Sequence, residues 1–294
     1  MDGEHAGCDL MNVELARNSR RQGRKSPAID GKIESVIRAR LESGGKAVAP
    51  FLTAGFPDRP TFVRLLGAMQ EVGSDIIEVG LPFSDPLADG GSVQFASQQS
   101  LSNGGNVTRA LEDIAAAAIA VPVVAMSYIN PILAQGVSWF AREARAAGVC
   151  GVIVPDAPLD RMNRAAVDLE PLSTHMERVL LAAPTSSDFR LRAIGKATRG
   201  FLYAVTVTGV TGVREGIPAA ALEFLRCARS ATRRPVLAGF GIGDAGTARR
   251  VAEHCDGVII GSAIIEAIRD GNRKGAIRRA VRLVKSIRNA LGPD

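Results

Sequence analysis

Eight short apolar runs, each followed by a helical stretch, constrain this chain more than any other feature. The runs cover 47–53, 75–80, 121–127, 151–155, 178–183, 200–206, 235–239 and 257–261. They are rich in Val, Ile, Leu and Ala, with apolar residues at successive positions rather than alternate ones. A strand buried on one face alternates apolar and polar side chains. A strand buried on both faces does not, and such strands belong to parallel sheets covered by helices. Helical stretches at 61–72, 138–147, 160–173, 188–197, 219–230 and 244–254, two more before the third run, and terminal helices complete the alternation. Eight such units in 294 residues predict an α/β chain. The expected architecture is one closed (β/α)8 barrel of the TIM type over 30–294, with an extra N-terminal helix at 33–42, rather than an open doubly wound sheet. Aromatic residues make up only 4% of the chain against 46% apolar residues overall, so the core must be aliphatic. Residues 1–29 mix Gly, Ser and Asn with nearly balanced charges and read as a disordered extension with a short helix near 11–17.

Several function classes drop out on composition. Cys8, Cys150, Cys227 and Cys255 form no C-x-x-C pair, and His5, His175 and His254 lie far from them in sequence. Neither a disulfide framework nor a zinc site is expected, and a reducing cytoplasm is the simplest setting. No apolar run approaches the roughly 20 residues that span a bilayer, and the N-terminus lacks the apolar centre of a secretory signal. The net charge is +6, and 269–294 accounts for all of it, with eight basic residues against Asp270 and Asp294. Ile277, Val281, Val284 and Ile287 recur there at helical spacing. The segment therefore reads as a terminal helix with one apolar face and a solvated basic remainder, not as a nucleic-acid surface.

In a barrel of this kind the reacting groups sit at the C-terminal ends of the strands. The second run ends Ile77-Glu78-Val79-Gly80, with an acid inside an apolar strand. Burial disfavours its charged form and raises its pKa toward the working range, which suits proton transfer. No run carries an interior Lys or Arg to pair with it. The next segment, Leu81-Pro82-Phe83-Ser84-Asp85-Pro86-Leu87-Ala88-Asp89-Gly90, is a stiff polar loop that can bring a second carboxylate over the mouth. Asp85, ahead of Pro86, suits a turn; Asp89 is the other candidate. Two carboxylates in different surroundings divide acid and base roles. Three Gly-rich turns follow later runs: Thr208–Gly212, Gly239–Gly243 and Gly261-Ser262-Ala263. Glycines let backbone N–H groups crowd an anion, and a helix starting at Ser262 points its positive end there. Ser262 also suits a helix N-cap, a role compatible with phosphate contact. The residues thus describe a barrel enzyme acting on a phosphorylated small molecule by acid–base chemistry, without metal or nicotinamide.

The segment Ile77–Gly90 closely resembles the signature of the tryptophan synthase α-subunit family. The likeness extends to Pro50–Gly55, Tyr128-Ile129-Asn130-Pro131, Pro155-Asp156-Ala157-Pro158, Thr208–Gly212, Gly239–Gly241 and Gly261-Ser262, in order from about 29 to 291. It implies retro-aldol cleavage of indole-3-glycerol phosphate to indole and glyceraldehyde 3-phosphate. By matching position, Glu78 protonates indole C3, Asp89 steadies the indole N–H, and Thr211 closes over the substrate and bonds Asp89. Gly212, Gly241, Gly261 and Ser262 hold the phosphate. Phe51, Met126, Ile153, Leu181, Tyr203, Phe240 and Ile259 surround the indole. The resemblance also implies an α2β2 assembly. Its β subunit carries the pyridoxal phosphate and receives indole, with contacts at Pro82–Asp89 and near Asn130-Pro131; this chain needs no cofactor of its own. Phe56 and Gly91 depart from the family pattern, where Asp and Pro are frequent. Gly91 adds backbone freedom beside the second carboxylate, and Pro82–Gly91 and Thr208–Gly212 are expected to be mobile without ligand. Two competing readings are a stand-alone lyase that releases indole and a non-catalytic activator of a β subunit. The joint presence of Glu78, Asp89 and Thr211 argues against the second.

Overall fold

The structure is a computed structural model that describes residues 31–159, 168–205, 217–239, 241–269 and 273–293. The extension 1–29, most of the predicted helix 160–173, and the turn Thr208–Gly212 lie outside these residues. Eight strands pair in parallel in sequence order, and the last pairs with the first to close the barrel. They are β1 (Ala47–Thr53), β2 (Ile77–Gly80), β3 (Val123–Met126), β4 (Val149–Ile153), β5 (Glu177–Ala182), β6 (Leu202–Val205), β7 (Val236–Gly239) and β8 (Gly257–Ile260). The predicted architecture holds. Three strands, β2, β3 and β6, begin two residues later than expected, and β4 moves the other way: it begins two residues before the expected 151 and ends before 155. Gly148, at φ 91°, turns the chain directly from the preceding helix into the strand, and Val149 already pairs with Val123 ahead of a register shift.

The helices are α1 (Lys32–Glu42), α2 (Arg59–Glu71), α3 (Gly91–Ser102), α4 (Val107–Ala117), α5 (Ile129–Gln135), α6 (Val137–Ala146), α7 (Glu170–His175), α8 (Asp188–Ala197), α9 (Ala219–Ser230), α10 (Ala245–Ala252), α11 (Ser262–Arg269) and α12 (Arg273–Ala290). Short polar caps start four of them: Asp58, Asn106, Ser187 and Asp244 accept the N–H groups of Thr61, Arg109, Arg190 and Thr247. Each cap is worth about 1 kcal/mol, and Asp58 explains why α2 begins ahead of the expected residue 61. Among the described residues no helix is long and apolar enough to cross a membrane.

Two apolar layers hold these elements. Leu52, Leu65, Val79, Phe140, Val258 and Ile264 pack between strands and helices. Ala49, Val124, Ile153, Phe201, Leu237 and Ile259 fill the barrel interior. Helix α1 plugs the interior at the N-terminal ends of the strands, with Ile33 and Ile37 fully buried. Gly151 makes room for it, since a Cβ there would lie 2.5 Å from Ile33 Cδ1. The Ile33 N–H donates to Glu177 Oε1 at 2.9 Å, so a strand carboxylate satisfies the start of the plug helix.

The basic terminal helix departs from expectation at one residue. Arg288 is 1% exposed and does not belong to a solvated face. Its Nη1 donates to Asp75 Oδ2 at 2.8 Å and its Nη2 to the Lys46 carbonyl at 2.7 Å. Asp75, just before β2, also accepts from Arg40 Nε at 2.7 Å and from the Val48 N–H at 2.8 Å. One carboxylate therefore joins α1, β1, β2 and α12. Arg278, Arg282 and Lys285 are exposed, as expected.

Candidate active site

Strand β2 aims Glu78 into a cavity of about 260 Å³ at the C-terminal end of the barrel. The parallel register sets Phe51 beside Glu78, Met126 beside Ile153, and Leu181 beside Tyr203. All of these line the cavity, with Ile259 of β8 and Asp89 from the loop after β2. Gly80 admits the Phe51 ring, which a Cβ at that position would strike. The cavity is thus an apolar slot with two carboxyl groups in it, and the closed barrel brings them together from one βα unit.

The two acids have different surroundings. Both carboxyl oxygens of Glu78 are buried without a hydrogen-bond partner among the described residues. Burial, with a smaller contribution from the charge of Asp89, pushes its pKa up to about 8. Asp89 is also raised by burial, to about 6, and a hydrogen bond from Tyr128 opposes that rise. The Tyr128 hydroxyl meanwhile accepts the Ala88 N–H at 2.8 Å, so it fixes both the backbone and the side chain of the loop. The loop is tied further where Ser97 Oγ accepts the Phe83 N–H at 2.8 Å and Gln94 Nε2 donates to the Asp89 carbonyl at 2.8 Å. Asp85 is exposed, bonded by the neighbouring Ser84 hydroxyl, and does not line the cavity, in keeping with a turn role. Near pH 7 the arrangement holds a neutral Glu78 across from an ionised Asp89.

The other end of the cavity is built from Gly241, Ile242 and Gly243 after β7 and from Gly261, Ser262 and Ala263 after β8. Gly241 lies at φ 80°, where a side chain is strained. The Gly261 carbonyl accepts the N–H groups of Ile264 and Ile265 at 2.9 and 3.3 Å. Gly261 is therefore the cap of α11, and Ser262 is its first residue rather than its N-cap. The free N–H groups of that first turn open on the cavity, an arrangement that attracts anions.

Of the site residues read from sequence, the structure brings together Glu78, Asp89, Phe51, Met126, Ile153, Leu181, Tyr203, Ile259, Gly241, Gly261 and Ser262. Thr211, Gly212 and Phe240 lie outside the described residues. Sequence reasoning missed Ala88, Gly90, Val93 and Pro155 as lining residues, while Ile242, Gly243 and Ala263 belong to the Gly-rich turns it named. It also missed Tyr128 as the partner of Asp89. An aromatic hydroxyl two residues past β3 was the available signal.

Comparison with known proteins agrees with this geometry. The sequence model of the tryptophan synthase alpha chain family matches residues 38–291. The tryptophan synthase alpha chain of Deinococcus radiodurans is 44% identical over 247 residues, 81% of this chain and 89% of the relative. That of a Picosynechococcus strain is 36% identical over 259 residues, 87% of this chain and 97% of the relative. Among solved structures, a chain of Mycobacterium tuberculosis tryptophan synthase superposes with a TM-score of 0.79 at 34% identity, covering 89% of this chain and 98% of that one. With closed barrel, twin carboxylates and sequence in agreement over nearly the whole of 31–293, the chain belongs to the tryptophan synthase alpha chain family.

Proposed function

We propose that Glu78 and Asp89 are the acid–base pair with which this chain performs the lyase reaction of its family, cleavage of indole-3-glycerol phosphate to indole and glyceraldehyde 3-phosphate in tryptophan biosynthesis. The observation that carries this reading is Glu78 itself: a carboxyl group with no partner for either oxygen among the described residues, in an apolar cavity beside a second carboxylate. A buried acid left unpaired costs stability, and raising its pKa is the chemical return.

The Glu78 proton goes to indole C3. Positive charge then resides on the ring nitrogen, where the Asp89 carboxylate stabilises it. The Glu78 carboxylate next takes the proton of the hydroxyl on the side-chain carbon bonded to C3. That oxygen becomes the aldehyde carbonyl, the carbon–carbon bond breaks, and its electron pair restores the indole double bond. Glu78 ends protonated, ready for the next turnover. Phe51, Met126, Ile153, Leu181, Tyr203 and Ile259 supply the apolar walls that an indole ring requires, and the start of α11 with Gly241 holds the phosphate. Thr211, Gly212 and Phe240 complete the set by resemblance. The test is indole formation from indole-3-glycerol phosphate by the purified chain, with and without a β subunit.

The partner reading commits to a face. Leu87 is 92% exposed in the loop after β2, Leu133 on α5 is 40% exposed, and the Tyr128–Ala88 bond joins these segments. A pyridoxal-phosphate β subunit docked there would cover both leucines and bear on the loop that carries Asp89.

Two outcomes follow from the site. The pH profile of kcat/KM should be a bell with limbs near 6 and 8. Below the first, Asp89 takes a proton and no longer stabilises the ring charge; above the second, Glu78 lacks the proton it must deliver. Tyr128→Phe removes a bond to the ionised form of Asp89, so the acid limb should move upward and the bell narrow. A limb that stays in place would show that another group sets it. For the phosphate end, Ser262→Asp places a carboxylate at the start of α11 without the φ strain of a change at Gly241. Glycerol 3-phosphate, measured by calorimetry, should bind about a hundredfold more weakly. Unchanged affinity would place the phosphate elsewhere.

A further inference from the structure

Helix α3 begins immediately after Asp89-Gly90, and no side chain caps its first turn. Gly90 is the cap, with no side-chain hydrogen bond, and the first turn contains no acid. Nothing lies within 4 Å of where a Gly91 side chain would start. Two successive glycines give this junction backbone freedom, which the Gln94 bond to the Asp89 carbonyl limits from within α3. It nevertheless carries the second carboxylate of the site.

A second anchor, from outside the βα unit, comes from α11. Ser92 Oγ donates to Glu266 Oε1 at 2.6 Å, which brings a carboxylate to the positive end of α3, where its charge is favourable. The other oxygen of Glu266 is held by Arg269 Nη2 at 2.7 Å. The Arg269 guanidinium in turn lies over the Phe95 ring, 5.5 Å from its centroid, and Phe95 meets Phe56 edge to face at 6.1 Å. The connection thus leaves α3 at Ser92, crosses to α11 through Glu266 and Arg269, and returns to α3 at Phe95.

The two helices joined this way are the ones whose first turns flank the cavity. Gly90 and Val93 line it from α3, and Ser262 and Ala263 line it from α11. Gln94 of α3 also holds the Asp89 carbonyl. The substrate's phosphate and indole ends are therefore read by two elements whose separation is set behind the cavity wall.

We propose that the Ser92–Glu266 hydrogen bond is a strut that fixes Asp89 at the correct distance from the phosphate-binding turn, which makes Ser92 and Glu266 positioning residues for the reaction. This rests on the reading of Asp89 as the second carboxylate. The pair lies at the side of the cavity and touches no reacting atom. Its effect is geometric, and small misplacements of a reacting group are costly in rate.

Ser92→Ala and Glu266→Ala are each expected to lower kcat for indole formation about tenfold, with glycerol 3-phosphate affinity and melting temperature little changed. The double variant should be no slower than either single one, because the two changes remove the same bond. Ser92→Thr keeps the hydroxyl and should restore most of the rate. In an Asp89→Asn background, Ser92→Ala should cost nothing more, since the strut acts through Asp89; a purely structural role would cost the same in both backgrounds. Wild-type kcat in the two alanine variants, or an undiminished effect in the Asp89→Asn background, overturns the strut while leaving the catalytic pair intact. Full activity of Asp89→Asn alone overturns the catalytic reading and the strut with it.

Discussion

Glu78→Gln should reduce indole formation by at least about a thousandfold, the scale expected for loss of a general acid–base group. Glycerol 3-phosphate binding should stay at the wild-type level, because the turns proposed to hold the phosphate follow other strands. The same variant should show the energetic cost of the site. Folded Glu78 titrates near 8 instead of its ordinary 4.5, so the native state retains a proton that the unfolded chain gives up. Stability is then fully present below the unfolded value and falls as pH rises from about 4.5 to 8. At about 1.4 kcal/mol per unit, the loss across that window is on the order of 4 kcal/mol. Gln cannot ionise, so the variant should lack this slope and be the more stable protein near pH 8. Denaturant melts at pH 5 and pH 8 measure it; equal slopes for variant and wild type would mean that Glu78 ionises freely in the fold.

The largest stability effect is expected at the opposite end of the barrel. Arg288→Met leaves Asp75 in a buried position with Arg40 as its remaining cation. Removing one partner of a buried charge pair costs about 3–5 kcal/mol, so the melting temperature should drop by about 10 °C for a chain of this size. Turnover at 25 °C should be unaffected where the variant is folded, because this end of the strands bears on stability rather than chemistry. Asp75→Asn should lose nearly as much, and the two changes combined much less than their sum. Full additivity would mean that the two side chains stabilise the barrel independently.

The features legible in the sequence are those written in neighbouring residues. β1 was read at its observed bounds because seven successive apolar or small residues suit a strand buried on both faces. Glu78 stood out because an acid in such a run has no solvent to face. Gly261-Ser262 stood out as a candidate anion turn because Gly and a following helix are adjacent in the chain, and the structure starts α11 at Ser262. Contacts between distant residues left no comparable trace. Tyr128 reaches Asp89 from another βα unit, and its place two residues past β3 marks it as a residue at that end of the barrel without naming its partner. Arg288 is one of eight similar basic residues from 269 onward. Helical spacing alone placed it among solvated charges; the carboxylate that buries it lies 213 positions earlier. The start of β4 was misplaced because residues at a helix–strand junction are apolar on both sides, and only the strand pairing decides where one ends.

That separation of 213 positions has a temporal side. On a ribosome adding about 5–20 residues per second, Asp75 is made on the order of ten seconds before the arginine that pairs with it. For most of that interval β1 lacks its second neighbour as well, since β8 is made after the other strands. The half-finished chain therefore exposes an open sheet edge and a carboxylate awaiting its guanidinium. The sheet edge is closed first, when β8 appears, and the carboxylate gains its second cation only when α12 follows. The barrel therefore reaches its native state only once α12 has been made.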